Sequence, residues 1–143
     1  MINARNLEEA KKLLKNSERP RIVLAQDDEF NRKIAEAAKF DILLSVEKGN
    51  RKNKIRQTDS GLNHVVAKIC SKNSIAIGVD LDEIRSLEPK LKAERLAKIK
   101  QNIKLCRKSG VKIAVKTKKL GKMKDFLQGM GSSTEQIKEA IVF

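Results

Sequence analysis

The chain has 143 residues, and its 32 Lys and Arg against 18 Asp and Glu give a formal net charge of +14. Hydrophobic residues make up 40% of it, which supports a packed core and excludes a collagenous chain, a disulfide scaffold and a wholly disordered chain. No stretch approaches the roughly twenty apolar residues of a membrane span, and the N-terminus lacks the apolar segment of a secretory signal. We therefore expect one domain over residues 1–143, in the cytoplasm, with Cys70 and Cys106 as buried free thiols.

Amphipathic segments alternate with short apolar runs along the chain. The pattern predicts helices over residues 6–16, 27–39, 60–72, 90–108, 121–129 and 133–141, and strands over 21–25, 41–46, 74–79 and 111–116. Asn6 is a typical N-cap, Pro89 suits the first turn of the long helix, and Gly110 suits its end. Ser133 and Gln136 have the spacing of a capping box. Four apolar strands separated by helices predict an α/β fold with a parallel sheet. Four strands are half of a closed eight-stranded barrel.

The basic residues concentrate in two parts of the chain. Fourteen of them and a single acid, Glu94, lie from Lys90 to Lys124, and five lie in residues 48–56 without any acid. Such clusters attract a polyanion and release its counterions on binding. A merely solubilising cationic surface is the alternative, and no helix has the exposed Trp or Phe of a membrane-bound one. Without Trp or Tyr, base stacking is disfavoured, so contacts with the phosphates and 2′-hydroxyls of folded RNA are expected.

Each basic part includes a loop that directly follows a predicted strand. The carboxyl ends of parallel strands meet at one edge of the sheet, where α/β proteins place their binding loops. The sequence therefore predicts one RNA-binding surface, although two unrelated solvated loops are the alternative. Its residues are Lys48, Arg51, Lys52, Lys54, Arg56, His64, Lys116, Lys118, Lys119 and Lys122. For His64 there is a simpler interpretation than RNA binding, namely that it holds the preceding loop in place through Asp59.

A catalytic role has little support in the residues. The chain has one histidine and none of the spacings of a metal site, a nucleophile elbow or a phosphate-binding glycine loop. The carboxylates near strand ends would at best hold Mg²⁺ loosely through waters. These are Asp27, Asp28, Asp59, Asp80 and Asp82. No cofactor is predicted on the chain itself.

Three segments carry a resemblance to a known family. They read TDSGLNHVVAK at 58–68, NSIAIGVDL at 73–81 and IKQNIKLCRKSGV at 99–111, and the similarity extends over residues 20–140. They resemble protein component 3 of archaeal ribonuclease P, the thirty-kilodalton subunit family. The resemblance implies a TIM-barrel-like fold related to polymerase and histidinol phosphatases, without their metal-binding histidines. It also implies a non-catalytic subunit that supports the ribonuclease P RNA as this RNA removes the 5′ leader from precursor tRNA.

The resemblance further implies partners. They are the ribonuclease P RNA, which requires Mg²⁺, protein component 2, and precursor tRNA indirectly. Carried onto matching positions, the RNA contacts would be Arg51, Lys52, Arg56 and His64. Family members are longer, so the resemblance implies a shortened barrel that is open or is completed by self-association or by another chain. Two alternatives remain: a metal-dependent phosphoesterase of the same barrel superfamily, and a general binder of structured RNA or ribosomes.

Overall fold

A computed structural model describes residues 1–49 and 59–143. The elements follow in this order: α1 (Leu7–Lys15), β1 (Ile22–Leu24), α2 (Asp28–Ala37), β2 (Ile42–Leu44), α3 (His64–Lys72), β3 (Ala76–Asp80), α4 (Leu81–Arg85), α5 (Pro89–Ser109), β4 (Ile113–Lys116), α6 (Leu120–Gly129), α7 (Thr134–Glu139) and β5 (Ile141–Val142). The fold is therefore α/β, as the alternating pattern predicts.

The five strands are all parallel and lie in the sheet in chain order, from β1 to β5. Ile2 extends the β1 edge through a parallel bridge to Val23. Right-handed connections between neighbouring parallel strands place their helices on one face of the sheet. The sequential order of the strands therefore predicts that the helices form one layer on one side of the sheet. A TIM-type barrel has the same arrangement of alternating strands and helices. The described strands are compatible with part of such a barrel.

Side chains alternate between the two faces of the sheet and form two apolar clusters. The larger cluster joins helix residues to the strand residues Val23, Leu43, Ile77, Val79, Ile113 and Val115. The smaller one contains Ile42, Ala76 and Ala114, with Ile22 and Phe143 packed against it. A Cβ at Gly78 would lie 2.7 Å from Cγ2 of Ile42, so glycine lets the strands pack closely on this face.

The helix ends follow the predicted chemistry. The side chain of Asn6 accepts a hydrogen bond from the backbone N–H of Glu9, and Ser133 with Gln136 forms a complete capping box. The long helix α5 begins at Pro89 and ends at Ser109, and Gly110 caps it with a φ of 72°, the left-handed conformation that glycine adopts readily. These predictions are confirmed.

The main differences from the predictions are a later helix start, a fifth strand in place of a helix end, and one additional helix. The helix expected over 60–72 begins only at His64, because the Asn63 side chain caps it by accepting from the N–H of Val66. The last helix ends at Glu139, and Ile141–Val142 instead forms a fifth strand that pairs with β4. Helix α4, with only five residues, was not predicted.

Both thiols are free and buried, as expected. Burial raises the pKa of the Cys70 thiol to about 12. Burial, and to a smaller extent the neighbouring Cys70, raises the pKa of Cys106 to about 12. Neither side chain is therefore a thiolate near neutral pH. No helix in the described ranges is long and apolar enough to cross a membrane.

Candidate nucleic-acid interface

The charged loops follow three neighbouring strands, β2, β3 and β4, and lie together at the carboxyl ends of these strands. We call this part of the molecule the strand-end edge. The described loop after β2 begins with Ser45 and runs to Gly49, β3 ends at Asp80 and leads into α4, and β4 ends at Lys116. Because β3 lies between β2 and β4, the segment that follows β3 separates the two basic loops. Three acids lie here: Asp80, the last residue of β3, and Asp82 and Glu83 of α4.

An ion-pair network connects the loop after β2 with two helices. Nη2 of Arg95, on α5, lies 2.8 Å from Oε1 of Glu47, and its Nη1 lies 2.6 Å from Oε1 of Glu83. Nζ of Lys48 lies 3.1 Å from the same Glu83 oxygen. The side chain of Glu47 is 1% exposed and that of Arg95 12% exposed, so Arg95 supplies the countercharge for a buried carboxylate.

The network also shifts two pKa values. Burial of Glu83 opposes its charged form, but hydrogen bonds and charge from Arg95 and Lys48 outweigh burial and lower the Glu83 pKa. Burial likewise opposes the charge on Arg95, yet its contacts with Glu47 and Glu83 raise the Arg95 pKa. Both groups are thus held in their charged forms. The network joins the loop after β2, helix α4 and helix α5 by charge.

Acids at the end of β3 and in α4 also bind the end of β4 and the loop that follows it. Nζ of Lys116 lies 3.2 Å from Oδ2 of Asp80. The Thr117 hydroxyl donates to Oδ1 of Asp82 at 3.2 Å, and the backbone N–H of Lys118 donates to Oδ2 of Asp82 at 3.1 Å. Two of the predicted RNA-binding lysines, Lys48 and Lys116, are therefore paired with carboxylates within the protein.

The remaining predicted residues lie in different surroundings. The side chains of Lys118, Lys119 and Lys122 are exposed around the start of α6, where Lys119 is the N-cap and no side chain caps the helix. His64 is exposed at the first turn of α3. Within the described ranges its side chain makes no hydrogen bond or ion pair, to Asp59 or any other residue. The other four predicted residues, Arg51, Lys52, Lys54 and Arg56, lie outside the described residues.

The segment before His64 is anchored to α5 rather than by the histidine. Nδ2 of Asn102 donates to the carbonyl oxygen of Ser60 at 3.0 Å, and Nε2 of Gln101 donates to the Ser60 hydroxyl at 3.2 Å. The carboxylate of Asp59 accepts from the backbone N–H of Gly61 at 3.1 Å. These contacts hold residues 59–61 against α5.

Sequence reasoning missed the pairing of Arg95 with Glu47 and Glu83. The order of the strands carries a usable signal, since sequential βα units place the acids that follow β3 between the two basic loops. The pairing of Arg95 with Glu47 has no such signal, because 48 residues separate the partners. In the described ranges no group of three or more His, Cys, Asp and Glu side chains has the arrangement of a metal site.

No protein-family model and no curated protein sequence matches this chain. Its fold is similar to that of a chain in the cryo-EM structure of archaeal ribonuclease P with mature tRNA, with a TM-score of 0.75 and 22% sequence identity. The match covers 96% of this chain and 60% of that chain, so this chain spans about three fifths of its neighbour's length. At this level of identity the likeness shows a shared fold.

Nearly all of this chain, including its parallel sheet and flanking helices, shares its fold with part of that neighbour.

Proposed function

We propose that this chain is a non-catalytic, RNA-binding protein subunit of an archaeal ribonuclease P. The observation that carries the proposal is the likeness of fold, at a TM-score of 0.75 over 96% of the chain, to a chain of archaeal ribonuclease P. The net charge of +14 supports it, because a strongly basic domain gains binding free energy by releasing counterions from RNA. The cytoplasm is the compartment in which we place it.

Within that assembly, we propose that the chain corresponds to protein component 3 and binds component 2. The segment 58–68 supports this assignment through its resemblance to the component 3 family. Precursor tRNA would be contacted indirectly, through the RNA, and the required Mg²⁺ would belong to the RNA. We also propose that a further polypeptide, either a second copy or component 2, packs against this one.

The strand-end loops are the proposed RNA contact of this subunit. Exposed Lys118, Lys119 and Lys122 are available to phosphates, and the start of α6, which no side chain caps, favours an anion through the helix dipole. We include the loop residues Lys52 and Arg56 because the sequence analysis predicts that they contact RNA. Lys48 and Lys116 are paired with carboxylates, so we propose that they contribute less.

Reconstitution tests the function. Precursor tRNA would be mixed with an archaeal ribonuclease P RNA, component 2 and this chain, and leader removal would be followed with each component omitted in turn. We expect the chain alone to cleave nothing, and to raise processing when RNA and component 2 are present. Replacing Lys52 and Arg56 by Ala should reduce this stimulation without changing the fold.

Two results would overturn the proposal. One is leader cleavage or phosphodiester hydrolysis by the Mn²⁺-loaded protein alone that survives ribonuclease treatment, which would favour the phosphoesterase alternative. The other is equal affinity for unrelated structured RNAs together with no stimulation of processing, which would favour a general RNA-binding module.

A further inference from the structure

The outer face of α5 carries a row of exposed cations that form no ion pair with acids in the described residues. Ile99, Asn102, Ile103 and Cys106 are the buried residues of this helix. The opposite face exposes Lys100, Lys104, Arg107 and Lys108. Residues four apart lie on one face of a helix, about 6 Å apart along its axis, so Lys100, Lys104 and Lys108 form a row. We call these four residues the α5 row.

Among the described residues, no acid pairs with the α5 row. Glu94 is the only acid of α5, and the next acid along the chain is Asp125. Within the described ranges, none of the four side chains forms an ion pair. At the strand ends, by contrast, acids pair with Lys48, Arg95 and Lys116, and only part of the described basic residues there is left without an ion pair.

The surroundings of the α5 row extend the positive surface. Towards the start of the helix the same face shows Ala93 and Ala97, whose small exposed side chains leave a ligand free to approach the row. Helix α3 packs beside α5 and exposes Lys68 and Lys72. The two helices together contain ten basic residues and one acid. No Trp or Tyr is available to stack on a base.

We propose that the outer face of α5 is a second RNA-binding surface, which takes the phosphate backbone of a helical RNA segment through the α5 row. This deepens the proposed function and rests on it. A straight, rigid row of cations without aromatic or amide groups recognises backbone charge and shape rather than base sequence. This surface lies on the helical layer, apart from the loops at the carboxyl ends of the strands.

Salt-dependent binding of the full chain tests the proposal. The test variant is the triple replacement Lys100→Gln, Lys104→Gln and Lys108→Gln. A triple Lys→Arg variant at the same positions retains the charge. A third variant, Lys11→Gln, Lys12→Gln and Lys15→Gln on α1, removes the same net charge from a remote helix. The probes are a 20-base-pair RNA duplex and an archaeal ribonuclease P RNA, with poly-L-glutamate as a non-nucleic polyanion.

We expect the test variant to lower the slope of log affinity against log salt by about two to three, since each lost phosphate contact removes roughly 0.7–0.9. When the salt concentration rises fourfold, both proteins lose RNA affinity, and the loss for the test variant should be about 30-fold smaller than the loss for the wild type. The Lys→Arg variant should retain the wild-type slope, and the α1 variant should change it by less than about one half. Circular dichroism should show unchanged helix content in every variant.

The experiment distinguishes a failure of the α5 surface from a failure of the proposed function. An unchanged slope in the test variant, with wild-type protein that binds both RNAs, overturns the α5 surface alone. An equal change in the α1 variant also overturns it, because net charge would then explain the effect. Poly-L-glutamate that competes as well as the duplex overturns the commitment to RNA. Wild-type protein that binds neither RNA at low salt overturns the proposed function and the α5 surface together.

Discussion

The strand-end edge and the outer face of α5 are both rich in basic residues, but their charges have different surroundings. At the strand ends, carboxylates at the end of β3 and in α4 lie within 3.2 Å of Lys48, Arg95 and Lys116. On α5, the exposed cations have no acid between Glu94 and Asp125 along the chain. A local count of Lys and Arg therefore does not give the charge available to a polyanion. The order of the strands decides which acids meet which cations.

The two regions also differ in what their cations do for stability. Arg95 compensates Glu47, which is buried, so its removal leaves an uncompensated charge inside the protein. Exposed cations such as those of the α5 row contribute little to folding. The comparison thus predicts that one set of substitutions affects folding and the other affects RNA affinity.

The largest effect is expected for Arg95→Ala. Because it leaves the Glu47 carboxylate buried without a countercharge, we expect a loss of about 3–5 kcal/mol in the free energy of unfolding, measured with urea. Lys104→Ala is the matched control from the other region and should change stability by less than about 0.5 kcal/mol. Adding Glu47→Gln to Arg95→Ala should restore part of the loss. A loss below about 1 kcal/mol for Arg95→Ala would show that the network does not hold the edge together.

The sequence predicted much of the fold because the relevant signals are local. Apolar periodicity located the four longer strands and most helices, and the chemistry of Asn6, Ser133 and Gly110 marked helix ends. Strand β5 could not be found this way, since its two residues follow a helical pattern and are extended only because the β4 edge pairs with them. The Arg95–Glu47 pair is a tertiary contact that no local pattern encodes.

A smaller effect, on RNA affinity, is expected when Lys116 loses its carboxylate partner. Asp80→Asn removes the charge that binds Lys116, while the Asn side chain can still accept the N–H of Glu83 and cap α4. We expect RNA affinity to rise by a few fold, and the salt slope to become steeper by at most about one. Fluorescence anisotropy against salt measures both quantities.

The matched control for this change is Asp125→Asn, which removes one acid from α6 outside the strand-end pairs. Equal gains in the two variants would mean that net charge alone sets the affinity. No gain for Asp80→Asn would mean that Lys116 does not reach RNA, and the strand-end contact would then depend on Lys118, Lys119 and Lys122.

The smallest effect concerns the pH dependence of the network. The folded-state pKa of Glu83 is lowered below its ordinary value of 4.5 by Arg95 and Lys48, which outweigh the opposing effect of burial. Its carboxylate therefore stabilises the protein above pH 4.5, and this contribution is lost as the pH falls through the lowered folded-state pKa. Since the Glu83 side chain is 30% exposed, we expect it to contribute at most about 1 kcal/mol to the free energy of unfolding.

Urea unfolding of wild type and Glu83→Gln at pH 7 and pH 3 should show a stability difference that shrinks at low pH. Glu8→Gln removes a carboxylate from an exposed pair with Lys11 and should change little at either pH. A difference for Glu83→Gln that is the same at both pH values would contradict the ionic role of Glu83 in the network.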